Sequence, residues 1–302
     1  MNVSVVIVTY NGMTWLERCL ASIPSSYNVV VVDNNSTDDT VNYIEANYPQ
    51  HTLFKEANNL GFGQANNKGI AYALKQGVDY VLLLNQDAFL EADTISTLIA
   101  THKQYPDYGV LSPIHTNAEK TRLDKKFSHY ISYDNNAQFY SDFVLGHQKQ
   151  SIYDVPFVNA AGWLLPRTTL DVVGGFDPIF YHYGEDDNYC QRVRYHQFKI
   201  GVVPNAFMVH DREDRVMPLQ QSESEQLLYF ERAFKTRYAD INIPFVRTEI
   251  TFISAAFLLK LLLKLQFKKW TFYKKKQYLQ QHLIKEVELS RQINITKGPH
   301  YL

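Results

Sequence analysis

Apolar and polar positions over the first hundred residues follow two alternating rhythms. Short unbroken apolar runs lie within VSVVIVTY, YNVVVVDNNS, HTLFKEA and DYVLLLNQDA. Between them apolar residues return every three or four positions, as Trp15, Leu16, Cys19, Leu20 and Ile23 do in MTWLERCLASI. TDDTVNYIEANY, GQANNKGIAYALKQG (closed by Gly77) and EADTISTLIATHKQY repeat that helical spacing. Runs without polar alternation belong to strands covered on both faces, so this order predicts a parallel sheet between two layers of helices. Right-handed crossovers make it a doubly wound α/β sheet.

Beyond about residue 105 the rhythm loosens. SHYISYDNNAQFYSDFVLGHQKQSIYDV is polar and aromatic without a period, and reads as a hairpin or a mobile loop. PFVNAAGWLLPRTTLDVVGGFD combines a short apolar strand with a helix beginning near Thr168. GEDDNYCQRVRYHQ is a helix with carboxylates at its start, and KIGVVPNAFMVHD holds one or two strands. From Glu223 onward the chain reads as mainly helical. No internal repeat or low-complexity linker interrupts it.

The 302 residues suffice for one large domain with an appendage. A net charge of −1 argues against nucleic acid as the main partner. Two cysteines, Cys19 and Cys190, without a CxxC or metal-type spacing, exclude a disulfide framework and fit a reducing compartment. MNVSVVIVTYNG lacks a basic segment and a small-residue cleavage site, so the start reads as a first strand rather than a signal peptide, and a cytoplasmic location is expected.

Open α/β sheets bind ligands beyond the carboxyl ends of their strands. Three polar clusters fall there: TYNG, VDNNSTDDT and NQDA. Asp33 ends the second apolar run, where its carboxylate can accept from a donor-rich ring edge such as a pyrimidine N3–H; the alternative is a turn residue satisfying backbone donors. Gly61-x-Gly63-x-x-Asn66 approaches a dinucleotide fingerprint, but it follows the third strand and ends in Asn66. It reads as a tight turn before a helix, with Asn58 and Asn66 supplying polar contacts. Asp87 can hold a hard divalent cation against a bound diphosphate, or it can serve as a helix cap. His210 is the candidate second ligand. Glu185, Asp186 and Asp187 crowd one helix start, which the helix dipole favours, and one of them could act as a general base; spacing alone does not choose among them.

The ordered set VVIVTYNG, VVVVDNNSTDDT, NNLGFGQANNKGI, LLLNQDA and GGFDPIFYHYGEDDNYCQR, with the later His210, resembles the family 2 inverting glycosyltransferases over roughly residues 2–212. Within that family it looks most like the bacterial branch that builds surface polysaccharides, which includes rhamnosyltransferases. The resemblance implies a GT-A fold, a Rossmann-like, mostly parallel sheet with a helical C-terminal extension. It implies a catalytic domain over 1–222, split into a nucleotide-sugar half (1–105) and an acceptor half (106–222), followed by a helical region (223–302). It places Thr9, Tyr10, Asn11, Asp33, Asn58, Gly63 and Asn66 around the nucleotide, with Asp33 on a pyrimidine. Asp87 matches the last acid of the family's Asp-x-Asp metal motif, whose first position here is Asn85. His210 would join Asp87 at Mg²⁺ or Mn²⁺. Asp186 would be the catalytic base, with Glu185 and Trp163 near the acceptor or sugar. The expected reaction moves one sugar from a UDP- or dTDP-type donor to a saccharide or lipid-linked acceptor. QRVRY imitates a motif of processive synthases, but it lies on the carboxylate-bearing helix and ends in Tyr195. Single transfer is therefore expected.

Two other readings fit less of the pattern. A sugar-1-phosphate nucleotidylyltransferase would carry a Gly- and Arg-rich loop after the first strand, which is absent. A non-catalytic nucleotide-sugar-binding or membrane-scaffold protein would not require Asp33, Asp87 and Asp186 together.

The tail ITFISAAFLLKLLLKLQFKKWTFYKKKQ is apolar but interrupted by Lys260 and Lys264, a poor bilayer span. Lys260, Lys264 and Lys268 recur every four residues beside a Leu and Phe face. That pattern predicts one interfacial helix on an anionic membrane, the protein being peripheral to it. The alternative packs the helix on the catalytic domain or on a homodimer partner, with lysine stems lying along the contact.

Overall fold

The structure is a computed structural model that describes residues 2–212, 222–250 and 252–302. The first half runs β1 (Val3–Thr9), α1 (Leu16–Ala21), β2 (Asn28–Asp33), α2 (Thr40–Asn47), β3 (Thr52–Lys55), α3 (Phe62–Lys75) and β4 (Tyr80–Asn85). It continues through β5 (Ala88–Leu90), α4 (Thr94–Gln104), β6 (Tyr108–Thr116), α5 (Lys125–Tyr130) and α6 (Ala137–Leu145). Then come β7 (Tyr153–Asp154), β8 (Gly162–Pro166), α7 (Arg167–Val173), α8 (Glu185–Tyr195) and β9 (Lys199–His210). The tail holds α9 (Glu223–Tyr238), α10 (Ala255–Leu263) and α11 (Phe267–Asn294).

One sheet of nine strands orders them β3-β2-β1-β4-β8-β6-β9-β5, with β7 also on β9. The pairs β1–β2, β2–β3 and β1–β4 are parallel, as the alternating rhythm predicts. β8 is the exception at the centre, antiparallel to both β4 and β6. Because β4 and β6 both oppose β8, they run the same way, and β9 is parallel to β6. The carboxyl ends of β1, β2, β4, β6 and β9 therefore share one edge. The strand expected to run through NQDA stops at Asn85; Gln86 and Asp87 form a turn, and the chain restarts as β5 beside the end of β9.

The sheet buries both faces. Alternate residues Val5 and Ile7 pack with Leu16, Leu20, Ile95 and Leu98 from α1 and α4. Val6 on the opposite face packs with Ile70 and Ala73 of α3, and with Leu170, Tyr189 and Val193 of α7 and α8. Trp163 joins that second core. It is wholly buried, in register with Leu83, with its ring stacked 6.1 Å from Phe176 and 5.5 Å from Tyr189. Its expected place beside acceptor or sugar is thus corrected: β8 turns the indole into the core.

Three other expectations change. β6 was masked in the sequence by Pro113 and by its His and Thr residues, yet it is buried along eight of its nine positions. The stretch read as a hairpin or mobile loop folds into α5 and α6, because Asp124 and Asn136 each accept a hydrogen bond from the backbone N–H three residues on and Gly146 closes α6 in the left-handed region. The single lysine-faced helix of the tail is two helices, broken where Leu265 takes φ +55°. Lys260 thus lies on α10, and Lys268 on α11.

The tail is tied to the segment before α8. Buried Asp177 accepts from Ser290 Oγ at 2.6 Å and from Asn294 Nδ2 at 2.7 Å, both on α11. Lys235 Nζ of α9 donates to the Ile179 carbonyl at 2.6 Å and pairs with Glu231 and Glu286. Asn67 of α3 holds the same segment from the other side. Its amide donates to Phe176 O at 2.8 Å and accepts from Phe176 N at 2.7 Å. Asn67→Ala would orphan both groups, so it is expected to lower stability by about 2–4 kcal/mol, read as an earlier midpoint in chemical unfolding.

Candidate active site

The loops after β1, β2 and β3 interlock around two buried residues. Asp33 pairs in register with Thr9 and is 2% exposed. Its Oδ1 accepts from Thr9 Oγ1 at 3.0 Å and Ser36 Oγ at 2.5 Å; its Oδ2 accepts from Ser36 N at 2.9 Å. An ionised carboxylate has about four acceptor positions, so Oδ2 keeps room for one more donor. Thr9 is wholly buried, and its hydroxyl is spent on Asp33. Its hydroxyl proton thus orients the acid.

Tyr10 and Asn11 build the floor of the edge. Tyr10 is 47% exposed, and its backbone N–H and carbonyl are clamped by the Gln86 side chain at 2.9 and 3.1 Å. Asn11, at φ 48°, accepts from Thr37 N at 2.8 Å and donates its own backbone N–H to Ser36 Oγ. Asn34, read with Asp33 as shaping the turn and satisfying backbone donors, does so here. Its side chain donates to Asn59 Oδ1 and Gly61 O and accepts from Leu60 N at 2.6 Å, fixing the third loop onto the second. Asn58, the residue expected to help here, is exposed beside that knot, and the bonded amide is Asn59.

The glycines serve backbone approach. Gly61 has φ +79°, and a methyl there would lie 2.0 Å from the Tyr181 carbonyl oxygen. Gly63 lets α3 approach Phe176 and Glu185; a methyl would stand 2.9 Å from the Phe176 Cβ. Asn66 is buried and donates back to Phe62 O at 3.0 Å within α3. These residues bring the loop after β3 and the start of α3 against the segment that opens α8.

Asp87 and His210 do meet. Pairing of β5 with β9 places Ala88 opposite His210, and His210 Nε2 stands 3.5 Å from Asp87 Oδ1. His210 is 2% exposed, and its Nδ1 has no partner among the described residues. Asn85 Oδ1, at the end of β4, is likewise buried and unpartnered. Among the described residues no group of three or more His, Cys, Asp or Glu side chains is gathered as for a metal. The pair nonetheless fits a divalent ion that takes its remaining ligands from a diphosphate and water. An imidazole beside a carboxylate suits Mn²⁺ better than oxygen-seeking Mg²⁺.

Two residues missed in the sequence complete this end. Arg212, just past β9, forks onto Asp124 with Nε–Oδ2 at 2.9 Å and a second bond at 2.5 Å. That pairing holds the Asp124 carboxyl at about 2 against the effect of its burial. Asp87 adds to the field that keeps Arg212 charged, as does Tyr130 of α5. Burial, then the charge of Asp186, pushes the Tyr130 phenol up to about 12. Arg212 thus feels the charge of Asp87, and Tyr130 that of Asp186 at the start of α8. The expected signal, an apolar period, is absent around both.

At the start of α8, Gly184 at φ +95° turns the chain so that Glu185, Asp186 and Asp187 occupy the first helical turn. Glu185 is 5% exposed, with Oε2 unpartnered among the described residues. Burial first, and the charge of Asp186 second, push its carboxyl up. Asp186 is half-buried, and burial followed by the charge of Asp187 pushes it up to about 7. Asp187 is raised by burial alone. A carboxylate held near neutrality can take a proton at physiological pH. A hollow of about 560 Å³ lined by Tyr108, Ile152 and Lys199 lies at the opposite edge of the sheet, and it includes none of these residues.

The sequence model of the family described as Glycosyl transferase family 2 matches residues 4–171. S. aureus TarS 1-349 in complex with UDP superposes with TM-score 0.53 at 19% identity, covering 82% of this chain and 67% of that one. The same protein in complex with UDP-GlcNAc gives 0.54 at 19%, covering 82% and 68%. GalNAc-T7 with UDP, GalNAc and Mn²⁺ gives 0.55 at 16%, covering 79% of this chain and 50% of that one. At these identities the likeness is one of fold. No curated protein matches the chain.

Proposed function

The chain belongs to glycosyl transferase family 2, and from that premise we propose that it transfers one sugar, with inversion, from a pyrimidine nucleotide-sugar to a hydroxyl of a saccharide or lipid-linked acceptor. The observation that carries the proposal is the shared edge of the sheet. Asp33 with its free acceptor position, the Asp87–His210 pair and the raised carboxyl of Asp186 all stand there. Solved relatives in the same fold hold UDP, and one holds Mn²⁺.

In this reading Asp33 accepts from the N–H of a pyrimidine ring, and exposed Tyr10 flanks the base. Asp87 and His210 would hold a divalent cation, which supplies neutralisation of the charge growing on the departing diphosphate. Arg212, kept in place by Asp124, adds a fixed positive charge on the same side. Asp186 takes the proton from the acceptor hydroxyl as that oxygen attacks the anomeric carbon from the face opposite the diphosphate. Glu185 sits one position away, closed in by Gly63, and shapes the sugar pocket. The polysaccharide setting, and a rhamnosyltransferase-like donor choice, rest on the sequence motifs alone.

A panel of UDP-, dTDP- and GDP-sugars with Mn²⁺ or Mg²⁺ tests the reading through slow release of nucleoside diphosphate. The expected result is turnover of a pyrimidine donor, faster with Mn²⁺. A GDP-sugar as the sole donor would overturn the role of Asp33.

A further inference from the structure

We infer that the turn joining α10 to α11 is a docking surface for an anionic lipid bilayer. The turn carries large apolar side chains with no contact to justify them: Leu259, Leu263, Leu265 and Phe267 are 57%, 76%, 73% and 58% exposed. Leu265 is the most telling. It holds φ +55°, a conformation that the fold would assign to glycine, and its side chain points to solvent. Neither backbone nor core accounts for a leucine there.

Charge identifies what covers these residues. Lys260, Lys264, Lys268 and Lys269 are exposed around them. Between Glu249 and Glu286 the sequence has eight lysines and no acidic residue. A second copy of the chain meeting this face symmetrically would set lysines against lysines, which disfavours self-association. An apolar ridge flanked by unopposed lysines matches a bilayer surface of anionic headgroups, apolar side chains entering the interface and lysines remaining at headgroup level. Among the described residues no helix is long and apolar enough to cross a membrane, so contact would lie in the plane of the surface.

The placement suits catalysis. Lys235 bonds both Ile179, in the segment that leads to α8, and Glu286 on α11. Phe267 stands nineteen residues before Glu286 on that helix, about 28 Å at 1.5 Å per residue. A bilayer held at the turn therefore lies roughly that far along α11 from the contacts that hold the segment leading to α8, a span that suits an acceptor with a lipid end and a saccharide end. That last step rests on the transferase reading; the docking surface does not.

Sedimentation of the full chain with vesicles tests it. Binding to phosphatidylcholine vesicles with about 30% phosphatidylglycerol is expected, with little to phosphatidylcholine alone and strong weakening at about 0.5 M salt. Lys260→Gln, Lys264→Gln and Lys268→Gln together should weaken binding about a hundredfold, each lysine near the surface contributing about fivefold. Leu263→Ser with Leu265→Ser should weaken it at least tenfold. All variants should keep the thermal midpoint and the donor affinity of the parent, so a failed transferase reading would leave this outcome readable. Absence of binding to anionic vesicles, equal binding to neutral ones, or a stable dimer in light scattering that these substitutions dissolve would overturn the inference.

Discussion

Asp186→Asn is expected to lower the transfer rate about a thousandfold while leaving donor affinity within a factor of two. A positioned general base contributes about 10²- to 10⁴-fold to a rate, and the isosteric amide removes that function without removing the side chain. The carboxyl of Asp186 is pushed up to about 7 by burial and by neighbouring Asp187. In the parent protein, activity should therefore rise as pH increases through about 7, as the base loses its proton. Stability should move the other way. The folded state retains a proton on Asp186 that the unfolded chain releases near pH 4, so stability falls as pH rises from about 4 to about 7. Glu185, raised by burial to about 8, acts with the same sign and extends the window upward. The asparagine variant should lose its share of that slope and unfold later than the parent at pH 8. Kinetics and urea unfolding on the same pH series measure both. Unchanged turnover in Asp186→Asn would move the base to Glu185 or Asp187.

Asp87→Ala should abolish the dependence of donor binding on metal and raise Kd by about a hundredfold, roughly 3 kcal/mol. The effect is large because, among the described residues, no group of three or more His, Cys, Asp or Glu side chains is gathered as for a metal, and Asp87 with His210 is the pair that would hold it. Removal of Asp87 leaves His210 alone. The fold should tolerate the change, since the Asp87 side chain is 23% exposed and its backbone carbonyl still accepts from Asp211 N at 2.8 Å. Calorimetric titration of the donor with and without Mn²⁺ checks this. Parent-like metal dependence in the variant would place the ion elsewhere.

The first half of the fold was legible because its strands are apolar runs and its helices have a clean period. Val29 to Val32 and Val81 to Leu84 leave no other reading. Legibility failed where tertiary pairing overrode the local pattern. β6 carries Pro113, Ser112 and His115, yet β8 and β9 flank it on both sides and its polar groups bond locally, with Ser112 Oγ 3.0 Å from His115 Nε2. α5 and α6 lack a strong apolar period, and only their caps, Asp124 and Asn136, announce them.

Residues at the site divide similarly. Asp33, Asp87, Glu185 and Asp186 were visible because a carboxylate at the end of an apolar run or the start of a helix is conspicuous. His210 and Asp87, 123 positions apart in the sequence, are brought together by β5 and β9. Trp163 was misplaced because a large aromatic in sequence does not reveal which face of a strand it joins. Asn67, Tyr130 and Arg212 were invisible, since their importance lies in partners distant along the chain.

A crystal of the protein soaked with UDP and Mn²⁺, with diffraction recorded at the manganese edge, tests the central claim most directly. The expected anomalous peak lies between Asp87 and His210, with diphosphate oxygens on it and the uracil against Asp33. A manganese peak away from that pair, or a nucleotide bound in the hollow beside Tyr108 and Lys199, would contradict it.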